Sequence, residues 1–323
     1  MKNRKFKKYF KEYQWSNIIA MTRNSWLNPM ICPDDFNKKL VVISGATSGI
    51  GCLTAKKYAS HGADLLCINR NQEKSEALKL EIESEFGVRC DYKIADLSKL
   101  HDIYRVAGEL SVLERPIDVL IHNAGIYLTK RELTAEGFDK VFVVNHLSSF
   151  VINILLSQKL KSQEKARIIL VNSEGHRFAA WGLEPDDLNW EKRRYSGLKS
   201  YGSAKLAQLL SMFLFAEYFR PGGVTINAMH PGAVRSETGK ENGAVYRWAK
   251  KHLYDRFLRP TEIAAESIYY LGVSDEIDGV SGKFFNLTTG EDPAPPALDR
   301  EAAYELWTKS VEMTGVEDII INS

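Results

Sequence analysis

A short apolar run, Leu40–Ser44, empties into the turn Gly45-Ala46-Thr47-Ser48-Gly49-Ile50-Gly51, and a helical pattern over Gly49–Ser60 follows at once. Glycines at 45, 49 and 51 remove the side chains that would keep a bulky ligand off the backbone. The helix that starts in the turn supplies free N–H groups and the positive end of its dipole. Tight turns use glycine for many reasons. A glycine turn between a first strand and a first helix is the setting in which it cradles a pyrophosphate.

The pattern that follows keeps alternating. Strands are predicted at Asp64–Ile68, Val88–Ala95, Ile117–His122, Arg167–Asn172, Val224–Met229 and near Gly282–Phe285. Helices are predicted at Gln72–Phe86, from Lys99, at Phe138–Leu160, Ser200–Phe219, Thr261–Leu271 and Leu298–Met313. Strands alternating with helices imply a parallel sheet covered on both faces. The expected fold is α/β: a Rossmann-type, doubly wound parallel sheet in three α/β/α layers, with ligands at the carboxyl ends of the strands. No boundary is visible inside 38–315, so one domain over 38–323 is expected after an arm of residues 1–37.

The arm holds much of the positive charge. Residues 1–36 carry seven Lys/Arg against three Asp/Glu, while the whole chain nets only +2. Nothing in that balance calls for nucleic acid. Phe6, Tyr9, Phe10 and Tyr13 follow the spacing of one helix face. Two readings stay open: a solvated arm or helix packed on its own domain, and a basic amphipathic helix (within residues 1–30) lying peripherally on an anionic membrane. No stretch approaches the ~18 apolar residues of a membrane span. Cys32, Cys52, Cys67 and Cys90 form no C-x-x-C pair. Reduced thiols, no metal site and a cytoplasmic location, with contact at the membrane surface as an option, are the expectation.

The second strand leads into Asn69-Arg70. An NAD site usually places a carboxylate here for the ribose 2′-OH. A guanidinium instead suits a 2′-phosphate, so NADP(H) is the expected cofactor.

Together with the glycine turn, Asp96, Asn123-Ala124-Gly125, Asn145, Ser173 and Tyr201-x-x-x-Lys205 occur in the order that resembles the short-chain dehydrogenase/reductase family over about 38–315. Val144-Asn145-His146-Leu147, Asp187-Leu188-Asn189, Ser203-Ala204-Lys205-Leu206-Ala207, His230-Pro231-Gly232, Ser281–Phe285 and Leu306-Trp307 resemble its retinol-dehydrogenase-like branch. The chemistry links the residue types. Carbonyl reduction puts a hydride on carbon and a proton on oxygen. A phenol with a pKa of ~10 needs a nearby ammonium to serve as a base near neutrality. Tyr201 and Lys205, four apart, share a helix face, so Lys205 is expected to pull Tyr201 toward ionisation.

The resemblance implies Tyr201 as general acid/base and Ser173 as a hydrogen-bond partner of the reacting oxygen. It implies Lys205 on the nicotinamide ribose and Asn145 on a relay water. Asn145 also reads as a helix-bend feature. Gly45, Thr47, Ser48, Gly49, Ile50 and Gly51 would bind phosphate, and Asn69 and Arg70 the 2′-phosphate. Asp96 and Leu97 would meet the adenine. Asn123, Ala124 and Gly125 would face the cofactor, with Pro231, Gly232, Val234 and Ser236 at the carboxamide.

Departures from the family pattern are His122 before Asn123, expected to be packed rather than catalytic, and Asn172 before Ser173. The gap before Tyr201 is long and holds His176, Arg177, Trp181 and Trp190. Residues 237–258, with Val245, Tyr246, Trp248, Leu253, Tyr254, Phe257 and Leu258, read either as a substrate lid or as core packing. The branch suggests a lipophilic alcohol or carbonyl, retinoid-, steroid- or other apolar aldehyde/ketone-like. The long helices resemble a homodimer surface, although their apolar faces also suit packing on the sheet. The competing function is a catalytically silent NADP(H)-binding regulatory or scaffold protein.

Overall fold

The computed structural model describes residues 8–24, 26–234, 239, 242–243 and 258–320. Eight strands form one sheet in the order β3-β2-β1-β4-β5-β6-β7-β8. They are β1 Leu40–Ser44, β2 Asp64–Asn69, β3 Cys90–Ile94, β4 Val119–His122, β5 Ala166–Val171, β6 Val224–His230, β7 Phe284–Asn286 and β8 Thr289–Gly290. The first seven run parallel, with registers such as Leu40↔Asp64 and Val41↔Val119. β8 turns back antiparallel to β7, pairing Phe285 with Gly290. It has only two residues, too few for any periodicity in the sequence to reveal it.

Strand composition follows position. β1, β2, β4 and β5 are buried along their whole lengths, as continuous apolar runs in a sheet covered on both faces must be. One face carries α2 Gly49–Ser60, α3 Gln72–Phe86 and α7 Glu262–Val273. The other carries α4 Leu100–Ser111, α5 Lys140–Lys161, α6 Gly197–Phe219 and α8 Arg300–Thr314. Two hydrophobic clusters fill the two layers. Trp307 anchors the second layer edge-on to Phe150 and Phe215, with centroids at 4.7 and 4.8 Å.

Local signals fix the helix ends. Asn71 accepts the Lys74 N–H at 2.8 Å to open α3, and Gly87 closes it at φ 68°. Asp299 and Gly315 do the same for α8. α5 departs from the expected single regular helix over Phe138–Leu160. It begins after Asp139, and Val143–Leu147 is π-helical. It is also apolar enough to cross a membrane by length and composition, contrary to the expectation that no segment is, but 89% of its apolar window lies buried in the core.

Among the described residues of the arm, no aromatic-faced helix runs through to Tyr13. Residues 8–10 are helical, the chain then breaks, and α1 follows as Trp15–Asn24. Tyr9 and Tyr13 turn to the domain, where their hydroxyls donate to Asp299 at 2.6 Å and to the Ala180 carbonyl at 3.0 Å. Phe10 faces outward, and Phe6 lies outside the described residues.

Strand order reverses between β1 and β4. Connections leave in opposite directions there, which opens a crevice at the carboxyl ends of the two strands.

Candidate active site

The crevice holds a cavity of about 680 Å³. Its floor is stitched by side chains. The Ser44 hydroxyl accepts the N–H groups of Asn123 and Ala124, both at 3.1 Å. The Asn123 amide donates to the carbonyls of Ser44 and Gly45 at 3.1 and 3.0 Å. Gly45 and Gly49 take φ of 74° and 56°, and a Cβ on Gly51 would lie 2.2 Å from the Gly45 carbonyl oxygen. The turn is therefore closed to any larger residue at that point. Thr47, Ser48, Gly49, Ile50 and Gly51 line the cavity beside the start of α2.

At the end of β2, Asn69 and Arg70 also line the cavity. The Asn69 side-chain Oδ1 accepts the Ala46 N–H at 2.8 Å. Its Nδ2 is buried and has no hydrogen-bond partner among the described residues. A buried donor without a partner costs roughly 1–3 kcal/mol unless a ligand meets it. Arg70 is exposed beside it. Asp96 and Leu97 form the adjoining wall. The Asp96 carboxylate accepts from the Ser98 N–H and hydroxyl at 3.0 and 2.8 Å.

The other end of the cavity brings together Ser173 after β5, Tyr201 and Lys205 on α6, and Gly125 after β4. The nearby Ser173 hydroxyl favours ionisation of the Tyr201 phenol, while the larger effect of burial pushes its pKa up. The Ser173 oxygen also accepts the Gly175 N–H at 3.0 Å. Lys205 donates from Nζ to the Val171 carbonyl at 2.8 Å and lies 5.9 Å from the Tyr201 ring centroid. Burial lowers its pKa to about 7. Desolvation opposes both charges, and the group that favours the phenolate is Ser173.

Asn145 lies in the π-helical turn, which offsets one residue of α5. Its amide bonds both backbone groups of Ile126, accepting at 2.9 Å and donating at 2.8 Å. It thus braces the chain just past Gly125, where a Cβ would stand 2.8 Å from the Asn145 oxygen. Asn172 ties β5 to α6 through the Lys205 carbonyl at 3.0 Å and Gln208 at 2.8 Å. His122 is buried against Asn153 at 2.8 Å, and burial drives its pKa to about 4.

Pro231, Gly232 and Val234 line the cavity, with Gly232 at φ 80°. Ser236 lies outside the described residues, as do Val245, Tyr246, Trp248, Leu253, Tyr254 and Phe257. The stem of that segment is closed where Val234 bridges Arg259. Within it, Asn242 accepts from the Thr129 N–H at 2.7 Å and donates to the Tyr127 carbonyl at 2.8 Å.

Sequence reasoning missed Tyr127, Phe178, Leu198 and His230 as lining residues. Tyr127 meets Tyr201 edge-on, with centroids 5.9 Å apart. Leu198, three before Tyr201, was visible as a same-face neighbour. Phe178 sits on a 3₁₀ turn, and nothing in its spacing marked it.

A dinucleotide-shaped crevice at the switch point of a doubly wound sheet, with a Ser/Tyr/Lys set at one end, defines a class of cofactor-dependent oxidoreductases. Residues 39–182 match the family described as short chain dehydrogenase. Human retinol dehydrogenase 13 is 34% identical, over 86% of this chain and 85% of its own. Human retinol dehydrogenase 14 is 32% identical over 88% of each. A solved protein from Mycobacterium paratuberculosis superimposes with a TM-score of 0.69 at 27% identity, over 88% of this chain and 96% of its own. The chain belongs to the short-chain dehydrogenase family and is retinol-dehydrogenase-like. It is a nicotinamide-dependent oxidoreductase acting on CH–OH or C=O groups of a small-molecule substrate.

Proposed function

We propose that this protein uses NADP(H) to interconvert a lipophilic alcohol and its aldehyde or ketone, with Tyr201 as the general acid/base. The convergence of Ser173, Tyr201 and Lys205 at one end of a cavity whose other end is the glycine turn carries this reading. The cofactor, when bound, supplies or accepts the hydride.

The chain's own residues do the rest. The backbone of Gly45–Gly51 and the start of α2 hold the pyrophosphate. Arg70 and the unpartnered Asn69 Nδ2 receive the 2′-phosphate, the second giving a neutral donor where a carboxylate would repel it. Asp96 and Leu97 border the adenine. Ser173 donates to the reacting oxygen and holds the Tyr201 hydroxyl toward it. Tyr201 gives its proton in reduction and takes one in oxidation. Lys205 binds the ribose hydroxyls, and hydrogen bonds there favour its ammonium against the burial that lowers its pKa. Asn145 fixes Ile126 and so the wall opposite Tyr201. Tyr127, Phe178 and Leu198 give that end an apolar lining, which suits an apolar carbonyl and excludes water.

In an assay of NADPH oxidation against aldehydes and ketones graded by size and polarity, Tyr201→Phe is expected to abolish turnover while NADPH binding stays within about twofold, since the phenol acts in the transition state. Near-normal turnover in that variant overturns the assignment.

A further inference from the structure

The turn carrying Ser173 is held from outside the cavity by a buried polar chain that begins on the N-terminal arm. Glu174, next to Ser173, receives the Arg177 guanidinium. Arg177 reaches on to the Glu291 carboxylate at 2.9 Å and the Asp292 carbonyl at 3.1 Å. The other oxygen of Glu291 accepts from Asn24, the last residue of α1, at 3.1 Å and from Asn286 at 3.2 Å. Asn24 is 2% exposed and the Glu291 side chain 1%. Carboxylates this deep require every partner they have.

The arm grips the same region at further points. Tyr13 bonds the Ala180 carbonyl and meets Trp181 edge-on at 6.0 Å. Tyr9 packs on Gly182, where a Cβ would stand 3.0 Å from its ring. Arg259, at the stem of the 235–257 segment, donates to the Leu27 carbonyl at 2.7 Å and to Asn28 at 2.6 Å. The segment between Ser173 and the tyrosine helix, and the stem where Val234 bridges Arg259, thus share one external brace.

We propose that the N-terminal arm is a working part of the active site: Asn24, through Glu291 and Arg177, is a positioning residue that fixes the turn bearing Ser173. The proposal rests on the reading of Ser173 as partner of the reacting oxygen. Asn24→Ala leaves Glu291 one donor short and loosens Arg177, so the Ser173 hydroxyl drifts from Tyr201. A misplacement of ~1 Å at such a group costs up to ~100-fold in rate. The cavity wall at Gly45–Gly51 and Asn69 is remote from this chain and keeps its geometry.

The test uses the full chain. Asn24→Ala is expected to lower kcat about tenfold with NADPH Kd within twofold, and to speed amide hydrogen exchange over residues 174–180. Where Ser173→Ala is impaired, both changes together support the brace, and anything less overturns it. Should Asn24→Ala fail to fold, Tyr13→Phe carries the same two readouts under the same condition: both changes support the brace there too, and anything less overturns it. Ser173→Ala is run beside them. Full activity in that variant would break the functional reading, while hydrogen exchange in the Asn24 variant would still decide whether the arm holds the turn.

Discussion

Ser173 stands beside Tyr201, and among the described residues its hydroxyl is what lowers the Tyr201 pKa against the opposing effect of burial. Removing it leaves desolvation alone, so the phenol becomes a weaker acid. Ser173→Ala should lower kcat by ~100-fold or more, the usual contribution of a positioned proton-transfer partner. The pH at which alcohol oxidation reaches half its maximum should move up, because a higher phenol pKa needs more alkaline solution to ionise. A pH–rate profile of the residual activity checks this, and an unmoved profile would assign the lowering to another group.

Gly175 is the neighbour that lets this pair form. A Cβ there would stand 2.6 Å from Tyr201 Cε1 and 3.2 Å from the Ser173 oxygen. Gly175→Ala must therefore push the ring or the turn aside. Overpacking of this kind costs roughly 1–3 kcal/mol of stability. The expected phenotype is a modest fall in Tm with a loss of ~100-fold in kcat, since reacting geometry tolerates less than folding does. Steady-state kinetics beside a thermal melt separate the two. A melt shift with unchanged kcat would show that the ring relaxes harmlessly.

Arg70 and Asn69 sit together at the end of β2, one a cation and one a buried donor without a partner among the described residues. Hydrogen bonds to charged groups contribute ~1.5–3 kcal/mol. Arg70→Ala should thus weaken NADPH binding by roughly 10- to 100-fold and leave NADH nearly unchanged. Fluorescence titration with both cofactors measures the ratio. Equal losses for both would show that Arg70 does not meet the 2′-phosphate.

How far these residues could be read from the sequence depended on the range of the interaction. The glycine turn, α2 and α3 were legible because their signals are local: a run, a turn, then Asn71 and Gly87 at the ends of one helix. The π-helical turn in α5 was not, because a helix apolar on all sides gives periodicity no phase to shift. The arm failed for a different reason. Its aromatic spacing fits a helix, but Tyr9 and Tyr13 are drawn to Asp299 and Ala180, partners far along the chain. Lys205 was identified by its spacing from Tyr201, yet its Nζ points to Val171, which no spacing rule shows. The apolar wall of Tyr127, Phe178 and Leu198 exists only once the chain after β4, the 3₁₀ turn after β5 and the start of α6 meet.

Buried histidines give the fold a predictable acid limit. Burial is the first cause in each case, lowering His122 and His230 to about 4 and His146 and His176 to about 3. His176 has both ring nitrogens engaged, by the Ser173 carbonyl at 2.8 Å and the Ala294 N–H at 3.0 Å, so its neutral Nδ1–H form is built into the turn. Unfolded histidine titrates near ~6.5. Below that pH the unfolded chain binds protons that the fold refuses, so this contribution is complete above pH ~6.5 and is lost as the pH falls. Two buried carboxyls oppose it. Burial raises Asp139 to about 6 and Glu174 to about 7, so the fold keeps protons there that the unfolded chain releases above pH ~4.3. Four groups against two leave a net uptake of about two protons on unfolding near pH 5, or about 3 kcal/mol of stability lost per pH unit. Thermal melts at constant ionic strength should show Tm falling steeply from pH 6 to 5, with a gentler rise above 7 as buried Lys205 gives up a proton that the unfolded chain keeps. His122→Gln should make that fall shallower by about one proton while lowering stability at pH 7. A Tm that holds level down to pH 5 would mean these histidines are not held neutral by the fold.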